Sequence, residues 1–124
     1  MELKEYFENT EGNGILATAD GNGKVDAAIY ARPHFMEDGT IALIMRDRLT
    51  HLNLQSNPQA CYMFIEKGPG YKGKRFFLTK AREEQDSELL QSLQRRQYIA
   101  ERDESKFLVI FNIDQELPLV GSGD

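Results

Sequence analysis

The spacing of apolar residues changes several times along the chain, and each change marks an element. Leu3, Tyr6 and Phe7 recur at helical intervals among charges, which predicts a short amphipathic helix from about Glu2 to Asn9, ended by the break Gly12-Asn13-Gly14. Residues 15–19 and 25–31 flank Asp20-Gly21-Asn22-Gly23, whose members tolerate positive φ, so the two runs read as an antiparallel hairpin. Glu37-Asp38-Gly39 turns the chain into a third strand, Ile41-Ala42-Leu43-Ile44-Met45, apolar on both faces. Residues 50–56 predict one or two helical turns capped by Thr50 and stopped before Asn57-Pro58. Residues 60–65 form the fourth strand. The basic loop Gly68-Pro69-Gly70-Tyr71-Lys72-Gly73-Lys74, made mobile by its glycines, leads to the fifth at 75–80. Leu89, Leu90 and Leu93 share a stripe within a helix over 87–98, with Arg95 and Arg96 complementing its dipole, and residues 107–111 are the sixth strand.

Six short strands separated by turn chemistry predict an antiparallel barrel with helices at its openings. Three of the strands are apolar on both faces, yet a barrel this small has one interior. The short helices are too few to cover the remaining outer faces, which predicts an isologous homodimer.

Composition narrows the function classes. A chain of 124 residues is one domain with one core, here residues 1–120 followed by a flexible tail at 121–124. It can bury somewhat under ~70% of its extended surface, enough to fold without disulfides or a structural metal. The lone Cys61 suits a reducing cytosol, and no signal pattern or membrane-length apolar run stands in the sequence, so a cytoplasmic location is expected. A net charge of -5 opposes diffuse attraction to nucleic acid or anionic lipid, so any anion site must be local.

His34 and His51 lie on separate segments without ligand spacing to a second Cys or a paired acid, which argues against a metal and favours ordinary core or surface histidines. Cys61 is mid-strand in apolar company, where a thiolate is disfavoured. Asp20-Gly21-Asn22-Gly23 joins two strands and opens no helix, so it is a turn. The loop from Gly68 to Lys74 also lacks the setting of a triphosphate loop, although it could form a basic lip over an anion.

The most informative segment is Met45-Arg46-Asp47-Arg48-Leu49-Thr50, where a strand ends and a helix begins. Unpaired N–H groups at a helix start, two guanidinium groups and a hydroxyl could hold a phosphate. The same residues also fit a strand end with exposed arginines and a capping threonine. Spacing alone favours this second reading, since arginines at strand ends are common.

With Asn57-Pro58 following, residues 44–58 resemble the phosphate segment of the FMN-binding split-barrel family typified by pyridoxamine phosphate oxidase. The resemblance runs in order from about Gly14 to Lys80 and more weakly through 87–98. It implies a mainly β fold, a six-stranded antiparallel split β-barrel of Greek-key type with short flanking helices, and FMN at a homodimer interface. Ile29, Tyr30, Ala31 and Arg32 would flank the ring through main-chain contacts, and Ile44, Met45 and Arg46 would line its other side. Arg48, Leu49 and Thr50 would take the phosphate, with Lys74 and Arg75 arriving from the second subunit. The sequence departs from the family where a Ser-Arg-Lys-like triplet is replaced by Arg48-Leu49-Thr50, and only Arg32 represents the basic residues of the second strand. It also lacks the oxidase's extra C-terminal part. The expected function is an FMN-dependent oxidoreductase or flavin reductase-like protein using a small-molecule substrate or electron donor. The alternatives are a noncatalytic FMN carrier, a cofactor-free dimer, or a relative that uses haem or a deazaflavin.

Overall fold

In the computed structural model, which describes residues 2–93 and 105–121, the chain runs α1 (Glu2–Asn9), β1 (Gly12–Ala19), β2 (Val25–Tyr30), β3 (His34–Phe35), β4 (Ile41–Arg46) and α2 (Leu49–Ser56). It continues through β5 (Gln59–Glu66), β6 (Gly73–Gln85), α3 (Glu88–Leu93) and β7 (Lys106–Pro118). All strand pairs are antiparallel, in the order β2-β1-β5-β6-β7-β4-β3. The edge strands β2 and β3 are joined only by residues 31–33, a link that reaches at most roughly 14 Å. A sheet whose two edges are tied so closely must curl, and it forms a barrel left open between them.

The expected fold class holds, with corrections in detail. There are seven strands rather than six, because His34–Phe35 pairs with Ala42 and Ile41, a segment too short to show any period. β6 and β7 run well beyond the apolar stretches 75–80 and 107–111: the polar half of each pairs with the apolar stretch of the other, through two register shifts. Gly12-Asn13-Gly14 is not a loop but the start of β1. A Cβ on Gly14 would overlap the Tyr62 hydroxyl, which donates across it to the Ala31 carbonyl at 3.1 Å. The predicted helix beyond Leu93 and the tail at 122–124 lie outside the described residues.

The barrel interior is filled by Leu16, Tyr62, Phe64, Phe76, Leu78, Val109 and Phe111, with Phe7 of α1 closing one end. A second cluster lies outside the barrel, where α3 presses Leu90 onto Ala42, Leu108 and Ile110 of β4 and β7. Across β2, β1, β5 and β6, by contrast, the outer rows Ile29-Ile15-Met63 and Ala27-Ala17-Cys61-Phe77 have no described element over them. No described helix is long and apolar enough to cross a membrane.

Candidate functional site

The split in the barrel is where main chain is left over. β3 pairs only with the first two residues of β4, so residues 43–46 have β7 as their one strand neighbour among the described residues. β2 is likewise paired on one side only, with β1. Between these two edges lies an open cleft of about 470 Å³. Its β2 wall is Asp26, Ala28, Ile29 and Tyr30 with the following Ala31; its β4 wall is Ile44, Met45 and Arg46; its floor is the turn into α2, Arg48, Leu49 and Thr50.

The floor is electropositive for structural reasons. Arg48, in extended conformation (φ -124°, ψ -170°), precedes the helix, and its N–H donates to the Arg46 carbonyl at 2.9 Å, closing a tight turn that brings two arginines to one wall. The N–H groups of the first turn of α2 have no carbonyl ahead of them. That turn has no acidic residue of its own and no side-chain cap, so the partial positive charge of the helix start is not offset from within it.

Thr50 is therefore not the cap it was expected to be. It sits inside the first turn, buried, and shares a hydrogen bond with the Tyr30 hydroxyl across the cleft floor. Burial raises the Tyr30 pKa, the bond to Thr50 opposes that shift, and Asp26 adds to it.

Solved structures with this architecture include an FMN-binding protein from Syntrophomonas wolfei, with a TM-score of 0.76 at 18% identity over 94% of this chain and 83% of that one. A candidate pyridoxamine 5'-phosphate oxidase from Lactobacillus delbrueckii gives 0.69 at 14% identity, over 94% and 90% of the two chains. The heme storage protein HutZ from Vibrio cholerae gives 0.67 at 22%, over 94% and 92%. The chain has the pyridoxamine 5'-phosphate oxidase-like split-barrel fold. At these identities the likeness is one of fold. No family model and no curated protein matches the sequence.

In this split barrel the residues proposed from the sequence on β2, β4 and the α2 turn come together, while three others do not join them. Arg32 leaves the strand direction and donates through Nη1 to the Phe7 carbonyl at 2.7 Å, in a separate cavity of about 370 Å³ beside α1 that also holds His34. Lys74 and Arg75 belong to β6, three strands from β2, or roughly 14 Å along the sheet within one subunit. Lys74 pairs with Glu116 at 2.8 Å and lies 5.1 Å from the Tyr6 ring centroid. Arg75 donates to the Pro118 carbonyl at 2.9 Å and to that of Gly121. The loop after β5 does not line the cleft either.

Sequence reasoning missed Asp26 and Ala28, which share the face of Tyr30, a residue it did name. It also read His51 as an ordinary histidine. His51 is buried and placed against two carboxylates, and the spacing Asp47-His51-Gln55, one helical turn apart each time, was the available signal. Cys61 is half-buried, and that burial pushes its thiol pKa up. Among the described residues no group of three or more His, Cys, Asp or Glu is arranged to hold a metal ion.

Proposed function

We propose that this split barrel binds FMN in the cleft and acts, as a homodimer, as an FMN-dependent oxidoreductase on a small molecule. The observation that carries the reading is the pairing of two features in one cleft: one-sided strand edges along its walls, and a helix start with two arginines at its floor. A flat heterocycle with polar edges suits the first, and a phosphate suits the second. On this reading Ile29, Tyr30 and Ala31 face the ring from β2, and Ile44 and Met45 face it from β4. Arg46, Arg48 and the first turn of α2 bind the phosphate. The Tyr30–Thr50 bond stiffens the floor between the two.

FMN supplies hydride or one-electron transfer when bound, and the chain's own residues hold, orient and shield it. The S. wolfei neighbour is described as FMN-binding. Haem is the less suited guest, because neither histidine faces the cleft: His34 lies beside α1, and His51 is engaged by Asp47 and Glu83.

The homodimer is supported by the uncovered outer rows on β2, β1, β5 and β6. Arg75 stands in register with Met63 on that same face, where a second subunit would bring it into the interface. The test is reconstitution with FMN followed by desalting. Retained flavin absorbance near one equivalent per chain is expected, and a colourless protein would refute the reading. A second reading, a noncatalytic carrier, is favoured by the scarcity of proton-transfer groups in the cleft, where among the described residues only Asp26 and Tyr30 qualify. Stopped-flow reduction by nicotinamide cofactors separates the two, since a carrier retains flavin without turnover.

A further inference from the structure

Within the triplet Arg46-Asp47-Arg48, both arginines line the cleft and the aspartate between them does not. The Asp47 carboxylate is held instead by His51, whose Nδ1 lies 3.1 Å from Oδ1. A carboxylate can only accept, so that bond draws on an N–H at Nδ1. The ring has little freedom to let go. It stacks on Phe107 of β7 with 3.7 Å between centroids and 18° between planes, and its Nε2 lies 2.9 Å from Glu83 Oε2 on β6.

Glu83 is fixed in turn through its other oxygen, which accepts from Lys80 at 2.6 Å and from Gln55 at 2.9 Å. The Gln55 amide nitrogen also lies 3.1 Å from His51 Nε2 and donates to the His51 carbonyl at 3.1 Å. His51 therefore fastens the turn to β6, α2 and β7 at once.

We propose that His51 is a positioning residue that sorts the charges of this turn, drawing the Asp47 carboxylate away from the cleft so that the face shown to an anionic group is the arginine face. This rests on the proposed phosphate site. Asp47 is otherwise 72% exposed, so loss of its bond to His51 would let its carboxylate turn to the cleft mouth and oppose an anion. The effect expected is that of one exposed charge pair, about five-fold in affinity, shrinking as salt is raised.

The two ring nitrogens can be tested separately. In His51→Asn the amide can stand in for Nδ1 and keep Asp47; in His51→Gln it stands in for Nε2 and keeps Glu83. Calorimetry at low salt with FMN, and with riboflavin, which lacks the phosphate, should show FMN affinity about five-fold weaker in His51→Gln and near wild type in His51→Asn, with riboflavin unaffected. Adding Asp47→Asn to His51→Gln should restore the loss, which a merely structural defect would not allow. Asp47→Asn alone should bind FMN at least as tightly as wild type, and this arm does not depend on His51 variants folding.

Weaker binding by Asp47→Asn alone, or failure of the double variant to recover, overturns the proposal. If the wild type binds inorganic phosphate but not FMN, the cofactor reading falls, and the same variant comparison made with inorganic phosphate decides this one. Binding of neither overturns both.

Discussion

The two outer faces of the barrel are built alike and finished differently. On β4 and β7 the outward side chains Ala42, Leu108 and Ile110 are at most 1% exposed because α3 lies across them. On β2, β1, β5 and β6 the outward rows are just as apolar, yet Ile29 is 83% exposed and Phe77 39%. Among the described residues one face has a cover and the other has none, which leaves a surface of the kind that joins subunits. The cleft opens at the border of the bare face, since Ile29 belongs both to its β2 wall and to the outer row. A partner seated there would also complete the site.

Removing the cover's anchor should have the largest effect. Leu90→Ala empties a fully buried position and should cost about 2 to 5 kcal/mol in denaturant unfolding, without altering association. A smaller loss would mean that α3 is an ornament and that the two faces differ less than described. Next, Gly14→Ala forces a methyl group against the Tyr62 hydroxyl beneath the bare side. It should cost about 1 to 3 kcal/mol and weaken flavin retention, because the Tyr62 bond holds Ala31 at the cleft wall.

A subtler effect concerns acid. Burial works against ionisation of Glu83, but bonds from Lys80, Gln55 and His51 outweigh it and bring its carboxyl down to about 2, against about 4.3 when unfolded. A depressed native value means that the contribution to stability is complete above about pH 4.3 and fades as pH falls toward 2. Wild type and Glu83→Gln should therefore differ most at neutral pH and converge on acidification, as followed by urea unfolding across that range.

Smallest in stability is Ile29→Asp on the bare face, expected to fall within about 0.5 kcal/mol for the isolated subunit. Its signature lies elsewhere: sedimentation velocity should show wild-type dimer and variant monomer. Wild-type protein that is monomeric at every concentration would break the comparison outright.

What the sequence revealed follows from how local each determinant is. The hairpin at Asp20-Gly21-Asn22-Gly23 was legible because its turn is closed by its own residues: the Asp20 carboxylate accepts from the Asn22 and Lys24 N–H groups at 2.8 and 2.9 Å, and Gly23 takes φ of 87°. The strand-to-helix junction after β4 was legible for the same reason. The polar halves of β6 and β7 were not, since each is a strand only by virtue of pairing with the apolar stretch of the other, a partner distant in sequence. Arg32 was assigned a main-chain contact because the resemblance carried it over with β2; where its guanidinium goes, to the Phe7 carbonyl of α1, no local pattern names. The part played by His51 was hidden because Glu83 stands 32 residues away. Thr50 looked like a cap, but its hydroxyl found Tyr30, a partner no local pattern names.

The short link at residues 31–33 bears on the width of the opening. It works as an inextensible strap between the two lips of the opening, so substitutions can redecorate those lips without letting them part. For the proposed site this means that the spacing of the two edges is limited by backbone length rather than by the side chains on the rim.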